Sequence, residues 1–170
     1  MAVTEIIAYE MEFTGLLRQS LDAEDLTKET FENGTCRITC IPFQPEFFEE
    51  YKAVYNACFY DMRKALDVKP YAFYSEYAQI QGKENDIFLY IKDGELAGSV
   101  ACYGNEIDDL IVNKAFQGQG YGRQLLLWAM EHIRENSQEP ITLHVAEWNQ
   151  HALRLYEDVG FSVKKREKIR

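Results

Sequence analysis

Asp108-Asp109-Leu110-Ile111-Val112-Asn113-Lys114-Ala115-Phe116-Gln117-Gly118-Gln119-Gly120-Tyr121-Gly122-Arg123 is the stretch on which the reading of this chain turns. An apolar run of strand character leads into three alternate glycines, and an amphipathic helical pattern starts directly after them. That order lets several backbone amides converge at a helix N-terminus, where the dipole favours an anion and missing side chains let one approach. Arg123 or Lys114 can add positive charge. The segment reads as a phosphate-binding loop. It is not a Walker loop, because Gly-Arg-Gln stands where Gly-Lys-Ser/Thr is needed. Nor is it a dinucleotide fingerprint, since the spacing is GxGxG and the loop lies two thirds along the chain. A turn built only for tight geometry explains one or two glycines, and poorly explains three.

Outward from this loop, the pattern alternates between sheet and helix. Downstream, Arg123 to Arg134 is a helix with Leu125, Leu126, Ala129, Met130 and Ile133 inward, and Ile141 to Val145 is an alternating strand. Asn149 to Val159 is helical and stops at Gly160, and Phe161 to Ile169 is an edge strand kept soluble by Lys164, Lys165, Arg166 and Lys168. Upstream, Ile107 to Val112 is a strand, and Ile87 to Ile91 and Glu95 to Tyr103 form a hairpin around Lys92-Asp93-Gly94. Phe47, Tyr51, Val54, Tyr55, Cys58, Met62 and Leu66 recur at helical spacing, and Tyr71 to Ile80 predicts a second helix after Pro70. Asn33-Gly34 signals a turn before a strand over Thr35 to Ile41, the acid-rich piece Leu21 to Glu32 precedes it, and Ile6, Ala8 and Met11 suggest a short strand. The expectation is a mixed α/β sheet with helices on its faces.

Bulk properties bound the rest. A chain of 170 residues with 46% hydrophobic content fits one core, and no apolar run approaches the roughly 20 residues that span a bilayer. The N-terminal stretch carries acids where an export signal carries a basic head, so a cytoplasmic location is expected. A net charge of −10 argues against nucleic-acid binding and mildly favours a cationic ligand. Cys36, Cys40, Cys58 and Cys102 have no metal-site spacing with His132, His144 or His151, and are expected to be reduced thiols; no metal is expected.

Gln117-Gly118-Gln119-Gly120-Tyr121-Gly122 resembles the Q/R-x-x-G-x-G/A pattern of the GNAT superfamily of N-acetyltransferases. Asn149-Gln150-His151-Ala152-Leu153-Arg154-Leu155-Tyr156-Glu157-Asp158-Val159-Gly160-Phe161 resembles that family's N-x-x-A-x-x-L-Y-x-x-x-G-F signature. Both occur in order, separated by one helix and one strand. The resemblance covers residues 35 to 170, leaving 1 to 34 as an extension packed on the domain. It implies a mostly antiparallel sheet with splayed central strands and helices on both faces.

The resemblance also implies acetyl-CoA as co-substrate and an amine as acceptor, joined by direct attack on the thioester. Gln117, Gly118, Gln119, Gly120, Tyr121, Gly122 and Arg123 are implied to hold the diphosphate, Leu110, Ile111 and Val112 to pair with the pantetheine arm, and Asn149 to add a contact. Tyr156 is the implied proton donor to the leaving thiolate. For the base, strand alternation would set Asp108 and Asp109 on opposite faces, so that only one can look into a given pocket; Asp108 is preferred. Phe59, Tyr60, Tyr71, Phe73, Tyr74 and Tyr77 could cage an ammonium, although core packing explains most of them. A module that binds acyl-CoA without turnover is the alternative, and pairing into a homodimer is compatible with the sequence.

Overall fold

Apolar side chains that alternate along the strands divide the core in two, one half on each face of a sheet. The computed structural model describes residues 5–15 and 36–170, with the backbone of 18–19 and 29–30. Its described strands are β1 (Ile7–Phe13), β2 (Arg18–Gln19), β3 (Glu29–Thr30), β4 (Ile41–Pro42), β5 (Ile87–Lys92), β6 (Glu95–Tyr103), β7 (Glu106–Val112), β8 (Ile141–Ala146) and β9 (Ser162–Lys168). The helices are α1 (Phe48–Ala65), α2 (Tyr121–Arg134) and α3 (Gln150–Val159). Seven strands form one sheet in the order β4-β5-β6-β7-β8-β1-β9, and β2 pairs with β3. Only β7 and β8 run parallel; the other pairs are antiparallel.

In β5, Phe88 joins Leu125, Ala129 and Met130 of α2, whereas Ile87 and Leu89 join Tyr51 and Val54 of α1. The two helices therefore cover opposite faces, as period-2 alternation requires. Leu153, Tyr156 and Val159 of α3 enter the α2 half of the core. No described helix is long and apolar enough to cross a membrane.

Two expected elements take other forms. Over Tyr71 to Ile80 only a short 3-10 turn forms, at Tyr77–Gln79. Asn56 of α1 holds the Tyr74 backbone at both ends, its amide donating to the carbonyl (2.8 Å) and its oxygen accepting from the N–H (2.9 Å). The Gln79 amide donates to the Phe73 carbonyl and its oxygen accepts from the Ser75 and Glu76 N–H groups. Side chains thus supply the bonds that helical turns would have made. The strand expected over Thr35 to Ile41 shrinks to Ile41–Pro42, paired with β5. Before it the chain follows α2, where the Arg37 N–H donates to the Gln124 side chain at 2.6 Å. Thr35, the Asn33-Gly34 turn and the acid-rich segment lie outside the described residues, apart from the backbone at 29–30.

The strand read from Ile6, Ala8 and Met11 is β1, which sits inside the sheet between β8 and β9. Met11 is fully buried there and the Phe13 ring lies tilted against Phe161, with centroids 5.7 Å apart. All four cysteines are free thiols.

Candidate active site

The site begins where β7 breaks its alternation. Ser99 faces Ile111 and Ala101 faces Asp108, so Val100 alone faces the two residues Asp109 and Leu110, a β-bulge. Asp109 takes φ +49, in the left-handed region that aspartate tolerates better than most residues. The extra residue inverts the strand's facing. Ile107 packs in the α2 half of the core and Ile111, four residues on, in the α1 half. The expectation that Asp108 and Asp109 point to opposite faces is therefore corrected: both line the same cavity.

Parallel pairing of β7 with β8 covers only Glu106↔Thr142 and Ile107↔Leu143. Beyond Ile107 the strands splay, and β8 offers Leu110, Ile111 and Val112 no partner. The opening is a cavity of about 930 Å³ bounded by the splayed strands, the glycine loop and faces of α1 and α3. Of the residues implied for acetyl-CoA contact or proton transfer, all but Gln119 line it; Gln119 is exposed on the loop, and Lys114, offered as a further positive charge, does not line it either.

At one end, Gly118 and Gly120 adopt φ +80 and +85, and nothing lies within 4 Å of where a Cβ would stand on either. Gly120 is the N-cap of α2, a helix of 14 residues, so its first amides open onto this space. The Lys92 ammonium bonds the Tyr121 hydroxyl and stands 5.0 Å over the same ring, fixing the first helical side chain. Gln117 donates to the Val112 carbonyl at 3.0 Å, tying the loop back to the strand. Cys58 donates to that same carbonyl at 3.1 Å. Asn149 caps α3 by accepting from the Ala152 N–H at 3.2 Å and also lines the cavity.

At the other end stand the titratable groups. Burial, then the neighbouring Asp108 charge, pushes the Asp109 carboxyl up to about 6, against a lowering hydrogen bond from the Tyr55 hydroxyl at 3.1 Å. Asp108 is exposed at the rim, and desolvation among the pocket atoms raises it as well; its Oδ1 accepts from the Asp109 N–H at 2.8 Å. Tyr156 is 9% exposed, and burial followed by the Asp108 charge raises its phenol to about 12, so it keeps its proton at neutral pH. His144, across the splay on β8, contacts Glu106 at 3.2 Å.

The α1 contribution was not singled out from sequence, Phe59 excepted. Tyr55, Cys58, Phe59, Met62 and Arg63 line the cavity, while of the expected aromatic cage Tyr74 is core, Tyr60 is exposed, and Tyr71, Phe73 and Tyr77 do not line it. Helical spacing marks one apolar stripe and does not say where the stripe runs past the sheet into open space.

A sequence profile of the acetyltransferase (GNAT) family matches residues 45–161. The chain belongs to the acetyltransferase (GNAT) family. Among curated relatives, the mycothiol acetyltransferase of Thermomonospora curvata is 36% identical over 81 residues, which is 45% of this chain and 27% of that protein. That of Streptosporangium roseum is 43% identical over 51 residues, 30% of this chain and 15% of that protein. The matched stretches thus span about a quarter or less of these relatives' length. Among solved structures, a GNAT-family acetyltransferase from Colwellia psychrerythraea shares the fold with a TM-score of 0.64 at 13% identity, over 96% of this chain and 54% of that one. A GCN5-related N-acetyltransferase from Sphaerobacter thermophilus does so with a TM-score of 0.55 at 20% identity, over 98% and 53%. For this GNAT member, the glycine loop and splayed strands of the fold coincide with the cavity.

Proposed function

We propose that this GNAT protein transfers an acetyl group from acetyl-CoA to an amine, by direct attack of the amine on the thioester. One observation carries the reading: a single cavity joins the open amides at the start of α2 to Asp108, Asp109 and Tyr156. The residues present suit the co-substrate. Gly118 and Gly120 leave open a space a Cβ would fill, and the α2 amides offer donors to a diphosphate, with Arg123 alongside. Bound acetyl-CoA supplies the thioester as acyl donor.

The chain's own groups then divide the work. Leu110 and Ile111 present backbone with no β8 partner, suited to an extended arm and to donating toward the acyl oxygen. An alkylammonium with an ordinary pKa of about 10.4 must lose a proton before it can attack. Asp109, held near 6, is a stronger base than an ordinary aspartate and is our assignment for that proton, directly or through water. Asp108 stands beside it and raises its basicity. Tyr156, protonated and buried, donates its hydroxyl proton to the sulfur as the carbon–sulfur bond breaks, and the second proton that the nitrogen sheds once the carbon–nitrogen bond has formed restores the phenol.

The test is thiol release from acetyl-CoA across a panel of primary amines. Amine-dependent release supports the assignment. Binding of acetyl-CoA with no release for any amine would mark a module that holds the acyl donor without turnover.

A further inference from the structure

The acceptor end of the cavity holds charges of both signs that feel one another across the space but are not joined in an ion pair. Arg63 lines it from α1, and Asp108 and Asp109 line it from β7. Among the described residues neither aspartate bridges to a cation, and Arg63 bridges to no carboxylate. Arg63 is instead held back: its Nη1 donates to the Pro70 carbonyl at 3.0 Å, and its guanidinium lies 4.8 Å over the Phe73 ring. Asp109 is held separately by the Tyr55 hydroxyl at 3.1 Å. Tyr55 and Arg63 are eight positions apart on α1, about 12 Å along its axis. Phe59 and Met62 floor the space between them.

Opposite charges in one half-dry cavity attract strongly unless each is fixed by its own neighbours. The fork of a guanidinium resting on an aromatic face keeps further N–H groups for a carboxylate. We propose that the acceptor is zwitterionic, an amine that also carries a carboxylate, with its ammonium at Asp109 and Asp108 and its carboxylate at Arg63. Arg63 is then the residue that sets specificity. This rests on the transferase reading above and adds the class of acceptor to it.

The test uses the full chain with acetyl-CoA and three matched pairs of acceptors that differ in reach. These are phenylalanine against phenylalaninamide, glycylglycine against glycylglycinamide, and 6-aminohexanoate against 6-aminohexanamide. The expected result is that kcat/KM for at least one carboxylate member exceeds that of its amide about ten- to a hundredfold, the range of a charge-assisted hydrogen-bonded pair. In Arg63→Gln that ratio falls to about one, and in Arg63→Lys, which keeps the charge without the fork, it lies between. Amides preferred or equal in all three pairs, or a carboxylate preference that survives Arg63→Gln, overturns the proposal while leaving acetyl transfer standing. Thiol release with none of the six but with another primary amine of the panel overturns it alone; release with no amine at all overturns it together with the transferase reading.

Discussion

Two side chains of the cavity differ in the proton they hold, and each makes a separate prediction. Tyr156 is buried with its phenol raised to about 12, so it is a donor at working pH. Tyr156→Phe keeps the ring and its packing near Phe161 but removes the proton. Its kcat is expected to drop about a hundredfold in a thiol-release assay, with KM for acetyl-CoA close to that of the parent. Asp109 answers to Tyr55. That hydroxyl stabilises the ionised carboxylate, so Tyr55→Phe lifts the carboxyl above its present value of about 6. The acid limb of the kcat/KM profile then moves to higher pH. Asp108→Asn moves it the other way, because the neighbouring negative charge that raised Asp109 is gone. An acid limb unmoved by either change would take Asp109 out of the proton transfer.

At the scale of elements, the loop and both of its neighbours were readable because their signals are local. Alternate glycines at a strand-to-helix junction, the Asn149 cap and the Gly160 stop each act within a few residues of sequence. Glycine need differs by position, and this can be measured. Gly120 sits at φ +85, where a Cβ costs about 1–2 kcal/mol, so Gly120→Ala lowers Tm by about 2–8 °C. Gly122 has no such φ, and a Cβ there would meet Leu155 and Val112 only at 3.7 and 3.8 Å. Gly122→Ala is expected to melt within about 1 °C of the parent; equal losses at both positions would show that crowding, not backbone conformation, governs the loop. What sequence misread is non-local. The bulge at Asp109 depends on how β7 registers against Val100, and the lost helix over Tyr71 to Ile80 depends on Asn56 reaching from α1. Neither leaves a periodic trace in its own segment. The same holds for Arg63, whose place in the cavity comes from where the end of α1 lies relative to the splay.

For the whole molecule, β1 holds together the half of the sheet that carries α3, joining β8 to β9. It pairs with β8 along Ala8 to Phe13 and with β9 along Ile7 to Glu12, and it buries Met11 completely. Met11→Ala removes a buried side chain from the centre of that half and is expected to cost about 2–5 kcal/mol, read from denaturant unfolding. A loss below 1 kcal/mol would mean that β1 can leave the sheet with little consequence.

That placement also governs when the protein can finish folding. During synthesis β1 precedes both of its partner strands, which follow only after residues 14–140 have been made. At ordinary ribosomal speed the wait lasts about 6–25 s, with a strand bearing Met11 and Phe13 awaiting its partners throughout. The pairing it awaits closes one of the longest loops the chain can form, the kind of contact that slows folding most. Tyr156 lies on α3, between those two partner strands in sequence, so its wall of the pocket is complete only after β1 has met strands made long after it.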